Sequence, residues 1–200
     1  FDVVMPVLNV CWVYLAARYA IGQGLTTSTA FGWVAMAAAF AHLAVAWWLA
    51  HKTEGGALGT TSFAMAGGFL VAFSAPMAIG HAVIGGALVA LLAVGLIWLS
   101  VRRGNLGLRL GSYLLQFYAC SALVFLLWTT DGTKPSVVGA LSSGLLAIIA
   151  FCHYFWARRH PATPGESFMH KLNKNDRGAS VLLVAALFSG FFTMRVGLYQ

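Results

Sequence analysis

Apolar residues in this chain do not alternate with polar ones. They come in long unbroken runs separated by short polar stretches. The clearest example is PMAIGHAVIGGALVALLAVGLIWLSVRRGNLGLRLGSYLLQFYA, residues 76–119. The runs 82–101 and 110–128 contain no charged residue, and the basic linker RRGNLGLR joins them. Each run has the roughly 20 residues with which a helix crosses about 30 Å of hydrocarbon. The pair reads as a membrane hairpin, and the remaining runs read as variations on it.

The pattern predicts an all-α, polytopic integral membrane protein. Its single domain, 1–200, has about seven transmembrane helices at about 3–20, 29–50, 60–79, 82–101, 110–128, 137–157 and 179–199, arranged as helical hairpins. Pro6 falls in the first turns of the first span, where a missing N–H matters least. Pro76 is expected to kink or end the third span. Gly80 and His81 alone then separate spans three and four. The longest loop is RRHPATPGESFMHKLNKNDRG, 158–178.

Composition agrees with this pattern. The 200 residues are 60% hydrophobic and 8% charged, against about 25% charged in a soluble domain. Mean hydropathy is +0.82. The net charge of +7 fits loops that face an anionic inner leaflet better than it fits nucleic acid. No RGG tract and no aromatic-basic stacking platform on a soluble domain accompanies it.

The basic residues also orient the chain. Loops after spans two, four and six hold nine: Lys52, Arg102, Arg103, Arg109, Arg158, Arg159, Lys171, Lys174 and Arg177. The opposite side holds three: Arg18, Lys134 and Arg195. Short loops rich in Lys and Arg stay cytoplasmic. The expected location is therefore the bacterial inner membrane, with Phe1 inside and Gln200 on the outer side. The chain begins at Phe1 rather than Met and ends just after an apolar run, which reads as an excerpt of a longer chain or a processed one. No signal peptide is evident, because the first run lacks a basic flank and a small-residue cleavage site.

A motif recurs with this topology. AVAWWLAHK closes span two, GLIWLSVRR span four and YFWARRH span six. Each sets a tryptophan, Trp48, Trp98 or Trp156, just before a basic cluster. Two explanations remain open. One is a repeated hairpin unit. The other is that inner-leaflet helix ends gather tryptophan and arginine wherever they occur. Trp33 and Trp128 would mark the outer belt.

Candidate chemistry is sparse. All five acidic residues, Asp2, Glu54, Asp131, Glu166 and Asp176, are terminal or in loops. A buried carboxylate relay of the kind proton-coupled transporters use is therefore not expected. Asn9, His42, Gln116 and Arg195 are the intramembrane polar candidates. Asn9, His42 and Gln116 are expected to play structural roles such as a hydrogen bond between helices, and Arg195 to reach toward the outer interface. Cys11, Cys120 and Cys152 lack a CxxC and read as small buried apolar side chains. His42 sits near mid-span, while His51, His153, His160 and His170 sit at or beyond cytoplasmic ends and His81 in a turn. At about 1.5 Å rise per residue these donors differ in depth by roughly 10 Å. No catalytic residue, metal or cofactor is expected from the chain's own side chains, and no GxSxG elbow is present. Small residues, by contrast, are frequent inside spans. Gly67, Gly68, Gly86, Ala90, Gly139 and Gly144 are candidates for close helix packing.

The stretch from Phe63 to Leu123 resembles a module of the large bacterial membrane proteins that carry domain of unknown function 2339. The counterparts of that family's pattern are Pro76, Arg102 and Arg103, Arg109, and the 111–116 segment ending in Leu-Leu-Gln. The family often has Trp and Glu where this chain has residues 81–87, and its arrays are far longer. The resemblance implies hairpin arrays in a bacterial inner membrane and no established activity.

The sequence therefore leads to a non-enzymatic membrane subunit, a scaffold or accessory component of a larger complex, with membrane lipids and other membrane subunits as partners. One alternative is a transporter or lipid-handling protein, with Asn9, His42, Ser74 and Gln116 lining a polar cavity. Another is a haem- or quinone-associated redox subunit that rests on His42.

Overall fold

The computed structural model describes residues 4–24, 27–52, 59–80, 82–129, 137–162, 173 and 176–198. These form seven helices: α1 (Val4–Gly22), α2 (Ser28–Lys52), α3 (Thr60–Ile79), α4 (Ala82–Arg103), α5 (Leu106–Thr129), α6 (Val137–Arg159) and α7 (Ala179–Leu198). No strand occurs among the described residues. Among the described residues five stretches are long and apolar enough to cross a membrane: Ser28–Lys52, Thr60–Ile79, Ile84–Arg103, Leu106–Phe125 and Ala140–Arg159. His81, Lys134, Lys171, Lys174, His170 and four of the acidic residues, Asp2, Glu54, Asp131 and Glu166, lie outside the described residues.

Helix α3 is the centre of the bundle. It touches α1, α2, α4 and α5. Its sequence TTSFAMAGGFLVAFSAPMAI is apolar on every side, as a helix surrounded by other helices must be. Elsewhere α4 packs chiefly on α5, and α6 on α7. Large side chains such as Trp33, Phe40, Leu141 and Phe188 are exposed on the outside, where lipid is as apolar as they are.

Small residues set the closest helix approaches. A Cβ built on Gly32 of α2 would lie 2.8 Å from Ala78 Cα of α3, inside its backbone. One on Gly85 of α4 would lie 2.7 Å from Pro76 N. Gly107 and Gly111, a turn apart on α5, sit directly over Thr61 and Met65, a turn apart on α3. Gly67 lies against Leu43 and the Ala39 carbonyl, and Gly68 against Leu115. Ala90 is fully buried. Gly86 and Gly144 are half-buried, and a Cβ on Gly86 would meet nothing nearer than Leu146 Cδ1 at 4.0 Å. The surroundings of Gly139 lie outside the described residues.

The recurring tryptophan motif has a common geometry. Lys52 Nζ lies 3.9 Å above the Trp48 ring, and the Arg102 guanidinium 4.2 Å above Trp98. The His160 ring stacks 4.3 Å from Trp156. In each case the basic group is four residues on, one helical turn away. The Lys52 and Arg102 pairs hold the cation against the ring face.

Between α4 and α5 two residues make the whole turn. Gly104, at φ +63°, takes the left-handed conformation that ends a helix. The Asn105 N–H then returns to the Ser100 carbonyl at 3.1 Å. The Asn105 side chain accepts from the Leu108 N–H at 3.1 Å, capping α5. It also accepts from Thr61 Oγ1 of α3 at 3.1 Å. Helix α5 therefore starts at Leu106, four residues before the span read from the sequence. Asn105→Ala removes both the cap and the α3 tie. It is expected to destabilise the protein by about 1–2 kcal/mol, and Asn105→Asp by less, measured by thermal unfolding in detergent.

Candidate functional site

The early start of α5 carries Arg109 into the bundle. The sequence reads Arg109 as one of nine cytoplasmic loop cations, but it is 2% exposed and among the largest fully buried side chains. Its partner is Asp176, which the sequence reads as a loop residue and which is 7% exposed. Nη2 of Arg109 donates to Oδ2 of Asp176, and Nε donates to Oδ1 at 3.2 Å. A bidentate guanidinium–carboxylate pair of this kind is the strongest geometry the two groups can make.

The pair ties three elements. Nη2 of Arg109 also donates to the Ala157 carbonyl in the last turn of α6, at 2.7 Å. The residue four positions beyond Ala157 is Pro161, which has no N–H, so this carbonyl has no helical donor. Arg109 supplies one. Tyr113, one turn along α5, donates its hydroxyl to both oxygens of Asp176 at 3.0 and 3.2 Å. Asn173 Nδ2 donates to Oδ1 of Asp176 at 2.9 Å, and Asn173 Oδ1 accepts from the Gly178 N–H at 2.7 Å. Asp176 has φ +54°, a left-handed conformation that Asp adopts more readily than most residues. These contacts shape the turn that starts α7.

A ladder of polar side chains continues from Arg109 along the same face of α5. Ser112 Oγ donates to the Arg109 carbonyl at 2.7 Å and lies 3.3 Å from Nε2 of His153 on α6. Nδ1 of His153 lies 3.5 Å from Gln116 Oε1. Gln116 Nε2 contacts Cys120 Sγ at 3.7 Å, and Ser189 of α7, also buried, lines the same cavity as Cys120. Positions 109, 112, 113, 116 and 120 follow the helical period. They carry polar groups roughly 16 Å along α5.

The ladder holds helices together and does not form an activated nucleophile. The one hydroxyl proton of Ser112 goes to its own helix by the shorter contact. The second nitrogen of His153 faces an amide, not the carboxylate that would orient a base. Ser112, Gln116 and His153 are 0%, 0% and 1% exposed. His153 therefore faces the bundle interior, six residues before the Arg159 end of α6 that the sequence reads as cytoplasmic. Among the described residues no group of three or more His, Cys, Asp and Glu side chains is close enough to share a metal ion.

The other candidates are dispersed. Asn9 is exposed on α1. The His42 ring bonds the Ala38 carbonyl of its own helix at 2.8 Å and lies 5.8 Å from Phe63 of α3. Cys120 is buried, but Cys11 and Cys152 face outward, contrary to the reading of all three as buried. Ser74 returns its hydroxyl to the Leu70 carbonyl at 2.6 Å.

Beyond the ladder an apolar cavity of about 620 Å³ opens between α5 and α7. Cys120 and Ser189, the last rungs, line it together with Phe117, Phe125 and Phe188. Arg195, half-buried, lies on its wall. Comparison of the chain with protein-family models, with curated proteins and with solved structures gave no match.

Proposed function

We propose that the chain is a seven-span, non-enzymatic subunit of the bacterial inner membrane that serves as a scaffold or accessory component of a larger membrane complex. The chain would present its loops after α2, α4 and α6 to the cytoplasm, as the nine-to-three division of basic residues favours. The hairpin-array family that the 63–123 stretch resembles is part of this proposal.

The observation that carries the reading is the Arg109–Asp176 pair with its ladder. The polar groups deepest in the bundle are spent on one another and on helix ends. A protein that moves a substrate or a proton keeps such groups facing a water-filled path. Here they fix α5, α6 and the start of α7 in one arrangement, as a rigid support requires. Helix α2 leaves a broad outward face, with Trp33, Val34 and Phe40, on which another helix can lie.

Cross-linking in intact membranes, followed by mild extraction and native mass spectrometry, tests the proposal. The expected result is a discrete assembly of fixed stoichiometry with at least one other membrane protein. A chain that is monomeric and alone both before and after extraction would overturn the subunit reading.

A further inference from the structure

We propose that the groove between α5 and α7 is a binding site for one acyl chain of an anionic membrane lipid, with the headgroup at Arg195. This goes beyond the scaffold reading and does not depend on it.

Helices α5 and α7 pack on each other along the groove. Their facing positions are small at its base, where Cys120, Ala185 and Ser189 lie, and aromatic at its edges. Small residues opposite small residues leave space that the fencing phenylalanines do not fill. The cavity, at about 620 Å³, falls in the range of sites that hold small ligands, roughly 300–1,000 Å³.

Its length fits one leaflet. The lining residues of α7 run from Val184 to Arg195. At the helical rise that is roughly 16 Å, about half of a 30 Å hydrocarbon layer. A chain from one leaflet fills such a groove end to end.

Its charge fits an anion. Arg195 is the cation on walls that are otherwise apolar or weakly polar. It lies nineteen residues along the chain from Asp176, at the end of α7 remote from the Arg109 pair. A guanidinium recognises a phosphate by paired N–H donors. The apolar groove and the terminal cation together match an amphiphile with a negative head.

The test uses the full-length chain, delipidated in detergent and titrated with dioleoyl phosphatidylglycerol or dioleoyl phosphatidylcholine under native mass spectrometry. The two lipids share acyl chains and differ in net charge. Phosphatidylglycerol is expected to bind at one per chain and more tightly than phosphatidylcholine. Arg195→Gln should weaken phosphatidylglycerol by about fivefold, the factor one basic side chain near an anionic headgroup contributes, and leave phosphatidylcholine unchanged. Val184→Trp fills the groove from an exposed position. It should abolish one-to-one binding of both lipids while the lipid-free melting temperature stays at the wild-type value. Equal binding of the two lipids, or binding that neither variant alters, would overturn the site. So would a stable assembly of chains that buries Val184 and excludes lipid.

Discussion

Asp176→Ala is expected to destabilise the folded protein by about 3–5 kcal/mol, the range for breaking a buried ion pair from one side. A charge in a connecting turn would ordinarily be worth about 1 kcal/mol or less. The difference lies in what stays behind. Arg109 is 2% exposed, and without Asp176 its guanidinium retains only the Ala157 carbonyl among the partners described above. Tyr113 and Asn173 lose their acceptor at the same time. Asp176→Asn keeps an acceptor oxygen and should fall between Ala and wild type. Tyr113→Phe removes one hydrogen bond to a charged group and should cost about 1.5–3 kcal/mol. Replacing both charges by apolar residues of similar volume, Arg109→Met with Asp176→Leu, should recover much of the loss, because no buried charge is left alone. Unfolding in mixed detergent, followed by circular dichroism, measures each of these.

Gly32→Ala is the second large effect, expected at about 1–3 kcal/mol for a single methyl group. The added carbon would enter the α3 backbone at Ala78, and backbone cannot swing aside as a side chain can. Helix α2 must then move away from α3 along its length. Gly86→Ala is the contrasting substitution. Its nearest neighbour is the flexible end of Leu146 at 4.0 Å, so the change should be neutral or stabilise by up to about 1 kcal/mol, since Ala is the better helix former. Melting temperatures of the two variants in one detergent should shift in clearly different amounts. Equal shifts would mean that helix contact does not decide the outcome.

The helices were legible in the sequence because lipid leaves the backbone no alternative. Uncharged runs of about 20 residues marked α2 to α6 to within a few residues. The start of α5 was read four residues late. RRGNLGLR looks like a loop by charge, but Gly104 and Asn105 are enough to end one helix and begin the next. That short turn is what buries Arg109, so of the nine cations counted in the loops Arg109 lies in the core, six lie outside it, and Lys171 and Lys174 fall outside the described residues. The imbalance still points the same way.

The ion pair was not legible, because its partners are far apart in the chain. Sixty-seven positions separate Arg109 from Asp176, and forty-eight separate it from Ala157. No periodicity within one helix reports such a pairing. Two local signals were present. Pro161 announces that the Ala157 carbonyl needs a donor from elsewhere. The polar positions 109, 112, 113, 116 and 120 form one stripe on an otherwise apolar helix, which implies that another polar surface meets it. Gln116 was read as a polar candidate with a structural role between helices, and it is one rung of this stripe. His153 was read near the end of its span, and it lies six residues before the end of α6, but that its ring faces the stripe was not legible. His42 was expected to bond across helices and instead bonds its own backbone. The neighbour its ring meets on α3 is Phe63, which offers no acceptor. Small-residue contacts were partly legible. Glycine content marked the spans, but which glycine meets a backbone depends on the crossing point of two helices.

The most direct measurement is a double-mutant cycle on Arg109 and Asp176, with Arg109→Met, Asp176→Leu and the double variant unfolded under identical conditions. A buried bidentate pair predicts that the double variant is more stable than the sum of the single losses implies, by about 2–3 kcal/mol. Additivity within about 0.5 kcal/mol would contradict it, because two residues that act independently are not holding α5, α6 and α7 together.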